Sequence, residues 1–526
     1  MNEEDKREEP DGLLDVEERQ VEQIELEGEG GTVDYAPGTF RKIGMGMATL
    51  VALVMATYVV PALSFARPWT SEDPVLFWNL VGREILGEGE VAQQEEDHLD
   101  RVEAVALAAE NVEEETETPI EDREVVAKPT GGGLPPYKPH DDDALEVPRE
   151  LELPDEKALD AFYARLAETD AGFAGAITRV THWGDSVIAA DNVTSTLRQT
   201  MQRRFGDAGH GFHLAARPHS SYWHRAMKFS GGEGWSKCYI IHGCAKDGRY
   251  GIGGTVSTSA GGGRSSFATH PKTPNGRKVS RYEIWYQARP GGGKLRLVVD
   301  GGEPEVIDTS AEDVEDKWHV KEVEDGAHEL EIRASGGGKV KVYGVVMERE
   351  GPGVVWDEMS QIGAFTSRFL YFDPTHIREQ IEHRGTNLLV FEFGGNDLLL
   401  KGRNIAKYRE QFGKVLARFR AGDKPPACLV ISPVDHGQRD GNRIVSVEGM
   451  QRTTDAQREA AHANGCAFFD TRAAMGGENS VARWRSKRWI SGDLSHLTGS
   501  GQRVLGQLVY LALMKGYREY RARTAK

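Results

Sequence analysis

Cysteine is scarce in this chain. Four occur in 526 residues (Cys238, Cys244, Cys428 and Cys466), too few for a disulfide-built scaffold, and no two have the CxxC spacing of a zinc or redox site. Cys238 and Cys244 are spaced to close a small loop if the chain is exported, and they stand equally well as two thiols. Positive charge is also short. The 64 Lys and Arg face 82 Asp and Glu, for a formal net charge of −18, and no basic stripe offsets it, which argues against nucleic acid as a partner. The motifs ask for no cofactor and no metal. His210, His213, His219 and His224 have only Asp207 close by, and the first strand lacks the Asp-x-His pair of a two-metal phosphoesterase. Long apolar runs are missing as well, with one exception.

That exception is residues 43–66, which hold no charged side chain and match the roughly 20 residues needed to cross a bilayer. Arg41 and Lys42 stand before it and Arg67 alone after it. The positive-inside rule therefore predicts a cytoplasmic N-terminus, with everything after Arg67 periplasmic or extracellular. Residues 1–40 carry 14 Asp/Glu against 3 Lys/Arg and are predicted to be a disordered cytoplasmic tail, whose composition names no partner. Residues 41–66 are the predicted transmembrane helix. Residues 67–150, acidic and then rich in Pro and Gly, read as an extended linker, with a short helix near the membrane at 75–86.

Beyond the linker the pattern alternates. An apolar run at 176–181 reads as a buried strand, followed by a turn and then a helix. Strand patterns at 353–356, 387–393, 427–431 and 466–469 alternate with helical patterns at 377–382, 408–420, 454–463 and 502–521. Such alternation predicts a parallel sheet covered on both faces. Between about 219 and 346 the helical signal disappears, and short alternating runs are separated by glycine clusters such as Gly261-Gly262-Gly263. These predict a β-sandwich. The expected organisation is an α/β domain in two parts, 151–225 and 351–526, interrupted by a β insert at 226–350. Trp223, Trp235 and Trp285 are candidates to stack on sugar rings, with core packing the expected role of Trp285.

Active sites of open parallel sheets lie at the carboxyl ends of the strands. Gly184-Asp185-Ser186 follows the first strand, Gly394-Gly395-Asn396-Asp397 follows the strand ending at Phe393, and Asp493-Leu494-Ser495-His496 precedes the last helix. A serine hydroxyl attacks a carbonyl poorly until a base takes its proton, and the base needs an orienting partner. His496 is the candidate base and Asp493 its partner. The Ser186 and Gly363 backbone N–H groups and the Asn396 amide are candidate donors to a tetrahedral oxyanion. The competing readings are an ordinary turn serine and, for Asp493 and His496, a helix cap beside a surface histidine.

These four blocks, Gly184-Asp185-Ser186, Gly363, Gly395-Asn396-Asp397 and Asp493-Leu494-Ser495-His496, resemble in kind and order those of the SGNH/GDSL hydrolase family. The resemblance covers roughly 175–225 and 351–520. It implies a flavodoxin-like three-layer α/β/α domain with Ser186 as nucleophile, His496 as base and Asp493 as its partner, and with Ser186, Gly363 and Asn396 as oxyanion hole. A β insert after the serine block is similar to that of exported peptidoglycan O-acetylesterases, whose insert is a jelly roll resembling carbohydrate-binding modules. The expected function is therefore a membrane-anchored, extracytoplasmic serine esterase that removes O-acetyl groups from a polysaccharide, peptidoglycan first. The alternatives are an O-acetyltransferase using the same residues and an inactive glycan-binding anchor protein.

Overall fold

The computed structural model describes Thr49, Met55, Ala56 and residues 97–109, 118–131, 133–400, 402 and 404–525. Apart from three residues, the predicted membrane span lies outside this set, as do the acidic tail and the helix expected at 75–86. Among the described residues no helix is long and apolar enough to cross a membrane. Gln93–Lys526 forms one compact unit.

Part of the expected linker does not extend from the domain. Residues 97–109 are helical, and Val102, Val105, Ala106 and Ala109, at helical spacing within an acidic stretch, are all buried. Val126 N–H donates to Gly172 O at 2.7 Å, and Tyr510 donates to Asp142 at 2.6 Å. The apolar stripe and the tyrosine-to-carboxylate bonds hold these segments against the α/β domain, so the tether reading of 97–150 is corrected over its described residues.

Five parallel strands form the central sheet: β1 (Ile177–Gly184), β13 (Gly353–Ser360), β14 (Leu388–Glu392), β15 (Ala427–Ile431) and β18 (Ala467–Phe469). Their order across the sheet is β13-β1-β14-β15-β18. Taken in chain order this is 2-1-3-4-5, the flavodoxin-like arrangement, and its switch point falls between β1 and β14. Gly184 at the end of β1 lies beside Ser360 of β13 and Glu392 of β14, so three loops leave the sheet at one place. On one face pack α1 (Asp160–Asp170), α2 (Asn192–Phe205) and α9 (Gly499–Thr524). On the other pack α3 (Pro374–Arg384), α5 (Ile405–Phe419) and α6 (Met450–Ala463).

The insert is built of antiparallel strands in two sheets. One contains β7 (Val279–Ala288), β10 (Glu315–Gly326) and β12 (Val340–Glu348), and the other β6 (Arg264–Thr269), β8 (Lys294–Val299) and β11 (Glu329–Ala334). Ile284 and Val342 from the first meet Phe267, Leu297 and Ile332 from the second in one core. The glycine-rich stretch at 204–212 reads as a turn region from its sequence, yet its second half enters a strand, β2 (Gly209–Leu214), that pairs with β12. Gly211 explains why a glycine-rich stretch serves as strand here: its φ is +91°, and a Cβ would stand 2.2 Å from Asp357 Oδ1.

Three buried charges, Glu348, Arg384 and Asp357, and the partly exposed Arg179 join the insert to the sheet. Glu348, at the end of β12, accepts from Arg179 Nε at 2.9 Å and from Arg384 Nη1 at 2.5 Å, while Arg384 also donates to Asp357 at 2.8 Å and 2.9 Å. Burial raises the Glu348 carboxyl, but Arg384 and Arg179 outweigh it and hold it far below the usual carboxylate range. Such a depressed group stabilises the fold above its unfolded pKa and loses that contribution as acid protonates the folded carboxylate. We expect Glu348→Gln to lower the unfolding free energy at pH 7 by about 3–5 kcal/mol. Urea unfolding should show the deficit shrinking below about pH 4, and a deficit constant down to acid pH would refute the ion-pair account.

Candidate active site

β1 ends at Gly184, and a turn carries Asp185 and Ser186 out of the sheet before a 3-10 turn at Ala189–Asp191 leads into α2. Ser186 Oγ lies 3.0 Å from His496 Nε2. His496 Nδ1–H donates to Asp493 Oδ2 at 2.6 Å, which leaves Nε2 as the acceptor facing the serine. Asp493 Oδ1 accepts from Ser491 Oγ and from the Ser495 and His496 backbone N–H groups. Burial raises the Asp493 carboxyl, but these bonds and the imidazole outweigh it and hold the group far below its ordinary range. Leu494, between the two functional residues, has a φ of +61°. Its side chain is buried and its carbonyl accepts from Gly437 N–H at 2.7 Å, which fixes the tight turn that folds Asp493 back onto His496.

Asn396 stands in α4 (Gly395–Leu398), directly after β14. Its Nδ2 donates to Ala364 O at 3.2 Å, next to Gly363, whose φ is +73°. Asp397 fastens the same loop by accepting from Thr366 N–H at 3.0 Å and Thr366 Oγ1 at 2.7 Å. Gly394 permits the tight exit from β14, with a φ of +122° and the Gln457 amide 2.6 Å from where a Cβ would sit. Ser186, Asn396 and His496 line a cavity of about 60 Å³, with room for a few waters or a short acyl group. Gly363 is not part of its wall; the Asn396 bond to Ala364 connects it to the site.

Three features here escaped the sequence reading. His436 lines the cavity; its Nδ1–H donates to Val434 O at 2.8 Å, and burial lowers its pKa. Its signal was a polar pair, Asp435-His436, shortly after the apolar strand β15. Gln502 of α9 donates to Val187 O at 3.0 Å and accepts from Asn192 at 2.6 Å, tying the last helix to the serine turn. Asp185 is buried, and burial, then Glu392 and Asp397, push its carboxyl up to about 7.

A strand-end serine, a histidine–aspartate pair and an asparagine about one small cavity form an arrangement suited to acyl transfer. Residues 346–504 match the GDSL-like Lipase/Acylhydrolase family. These residues form a GDSL-like lipase/acylhydrolase domain. The match takes in Gly363, Asn396, Asp493 and His496, while Ser186 lies before it, on the far side of the insert. A solved structure described as a peptidoglycan O-acetylesterase in action shares the fold at a TM-score of 0.60, with 19% identity over 70% of this chain and 99% of its own. A lipase/acylhydrolase from Enterococcus faecalis is 18% identical over 32% of this chain and 77% of its own, with a TM-score of 0.23. A family two carbohydrate esterase from Clostridium thermocellum in complex with cellohexaose is 10% identical over 54% of this chain and 100% of its own, with a TM-score of 0.22. No curated protein matches the chain.

The geometry of the hydrolase domain sets two expectations. Asp493→Asn, which keeps the shape but not the charge, should lower kcat on an acetyl ester by about 10⁴-fold, and Asn396→Ala by about 10²–10³-fold; a change below tenfold in both would sink the assignment. The raised Asp185 pKa means that its stabilising contribution is complete below the unfolded value of about 3.9 and is lost as pH rises through the folded value. Asp185→Asn stays neutral throughout. Its stability relative to the unmodified chain should therefore climb between about pH 4 and pH 7, and chemical unfolding at several pH values checks the slope.

Proposed function

We propose that this protein is a serine esterase, anchored by one membrane helix at residues 43–66, which removes O-acetyl groups from peptidoglycan outside the cytoplasm. The observation that carries the reading is the unbroken chain from Ser186 Oγ through His496 to Asp493, 3.0 Å and 2.6 Å long, opening on a cavity that suits an acetyl group better than a long acyl chain. The shared fold with a peptidoglycan O-acetylesterase supports the substrate class. Disulfides Cys238–Cys244 and Cys428–Cys466 support an oxidising compartment, and the uncharged run at 43–66 supports the anchor.

In this mechanism Ser186 Oγ attacks the acetyl carbonyl carbon while its proton passes to His496 Nε2, and Asp493 stabilises the imidazolium. The Ser186 N–H group and the second Asn396 amide hydrogen hold the oxyanion. Collapse of the tetrahedral intermediate breaks the carbon–oxygen bond to the sugar, whose oxygen takes the proton from His496. Water then attacks the acetyl-enzyme, His496 accepts its proton and returns it to Ser186, and acetate leaves.

The test is acetate release from O-acetylated peptidoglycan by the full chain in detergent, with Ser186→Ala beside it and with or without an unacetylated oligosaccharide acceptor. Acetate released by the intact chain alone, and unchanged by acceptor, is expected. Acetyl groups appearing on the acceptor would make it a transferase, and release surviving Ser186→Ala would refute the mechanism. Extraction of the chain from membranes by alkaline washing would refute the anchor.

A further inference from the structure

After β2 the chain returns to the root of the serine turn before it enters the rest of the insert. Ala190 N–H donates to Ser221 O at 3.0 Å, and Arg225 N–H donates to Asp191 Oδ2 at 2.7 Å. Between these two bonds lie Tyr222, Trp223 and His224, which help to wall a second cavity of about 270 Å³, near the ~300 Å³ at which ligand pockets begin. Its ionisable lining comprises Arg217, Lys228, His213, His224, His270 and Tyr222, with no carboxylate, in a chain of net charge −18.

The cavity is furnished for a ligand. Trp223 is 50% exposed although it sits on the wall. The Arg217 guanidinium lies 4.2 Å from the Trp223 ring centroid and 5.3 Å from that of Phe229. Stacking fixes its plane and leaves its N–H edge available for a bidentate anion. Among the described residues neither Arg217 nor Lys228 pairs with a carboxylate. His213 is 1% exposed, and its Nε2, like Nδ1 of His224, is buried without a partner among the described residues. Burial, reinforced by neighbouring imidazoles and Arg198, holds both rings well below the ordinary histidine range. They therefore meet a ligand as neutral hydrogen-bonding groups.

We propose that this cavity is a saccharide subsite in which Trp223 stacks on a sugar ring and Arg217, with Lys228, binds a carboxylate carried by the same glycan. The assignment rests on the reading of the domain as a glycan esterase, and it adds a charge requirement met by muramoyl residues whose lactyl group carries no peptide. The subsite and the serine turn are joined by the backbone bond at Ala190 and the bond to the Asp191 carboxylate, so a glycan held there is held by the segment braced against the turn that presents Ser186.

The experiment is calorimetric titration of the full chain with the disaccharide of N-acetylglucosamine and N-acetylmuramic acid, and with its counterpart whose lactyl carboxyl is reduced to an alcohol. The acid form should bind roughly tenfold or more tightly than the reduced form. Arg217→Gln should remove most of that difference, and Trp223→Ala should weaken both forms. Lys228→Gln, on an exposed side chain, repeats the charge test should Arg217→Gln melt early. Equal binding of the two forms, binding of neither, or a full difference surviving both charge variants would overturn the subsite. Acetate release plays no part in this readout. A chain that discriminates the two forms yet hydrolyses no acetyl ester refutes the esterase alone, and one that hydrolyses without discriminating refutes the subsite alone.

Discussion

Asp191 and Arg198 meet away from solvent at the root of the serine turn, and each reaches a different part of the fold. Arg198 donates to both Asp191 oxygens at 3.0 Å and 2.9 Å and to Trp356 O in β13 at 3.0 Å. Asp191 also accepts from Thr194 Oγ1 and from the backbone of Arg225. One ion pair thus ties together the turn after β1, the first turns of α2, the neighbouring strand and the segment leading into the insert. Ala190 and Asp191 both have positive φ, 65° and 57°, a conformation that non-glycine residues hold against a cost of order 1 kcal/mol each. The bonds that Asp191 accepts from Arg198, Thr194 and Arg225 hold it in place. A buried pair this fully hydrogen-bonded is costly to break, and Ser186 inherits its fixed position from that cost.

The same economy of placement governs the insert. Trp183, three residues before Ser186, stacks on Phe391 at 5.6 Å, meets Phe419 edge-on at 5.1 Å, and donates its indole N–H to Ile252 O in the insert at 3.1 Å. Phe212 of β2 meets Trp285 at 5.4 Å, and Trp285 meets His383 of α3 at 5.1 Å. Insert and sheet therefore share a continuous aromatic core and do not behave as two modules on a tether.

This sharing also explains what the sequence disclosed and what it withheld. The motif blocks were legible because each is a short polar group at the end of an apolar run, where a parallel sheet exposes its loops. Trp285 reads as core from its alternating strand, and it is fully buried. The strand β2 was hidden because Gly209 and Gly211 mimic a turn, and their purpose, backbone held close to Glu348 and Asp357, exists only once β12 and β13 are in place. The helix at 97–109 was hidden by its acid-rich exterior, since four small or branched apolar residues are a faint stripe until the core of the α/β domain takes in Val102, Val105 and Ala106. His436 left only the polar pair after β15, and Asp191 and Arg198 gave no sign of their role, because Trp356 and Arg225, which complete their network, come from other segments. The pairing of Cys428 with Cys466 joins adjacent strands, a neighbourhood that spacing does not reveal.

The electrostatics of the site follow from the strand ends in a way that favours acyl transfer. Asp185 and Glu392 both line the cavity in which an oxyanion would form, and a carboxylate there opposes the developing charge. Burial, together with Glu392 and Asp397, raises Asp185 to about 7, so below neutral pH it is predominantly uncharged. Asp493, by contrast, is kept anionic by the hydroxyl, the two backbone N–H groups and the imidazole that converge on it. Two aspartates beside one histidine are thereby separated in protonation by their surroundings, the pattern by which a site assigns distinct roles to chemically identical groups. The charged one faces Nδ1, where positive charge appears during the proposed reaction, and the one on the cavity wall sheds the charge that would oppose the oxyanion.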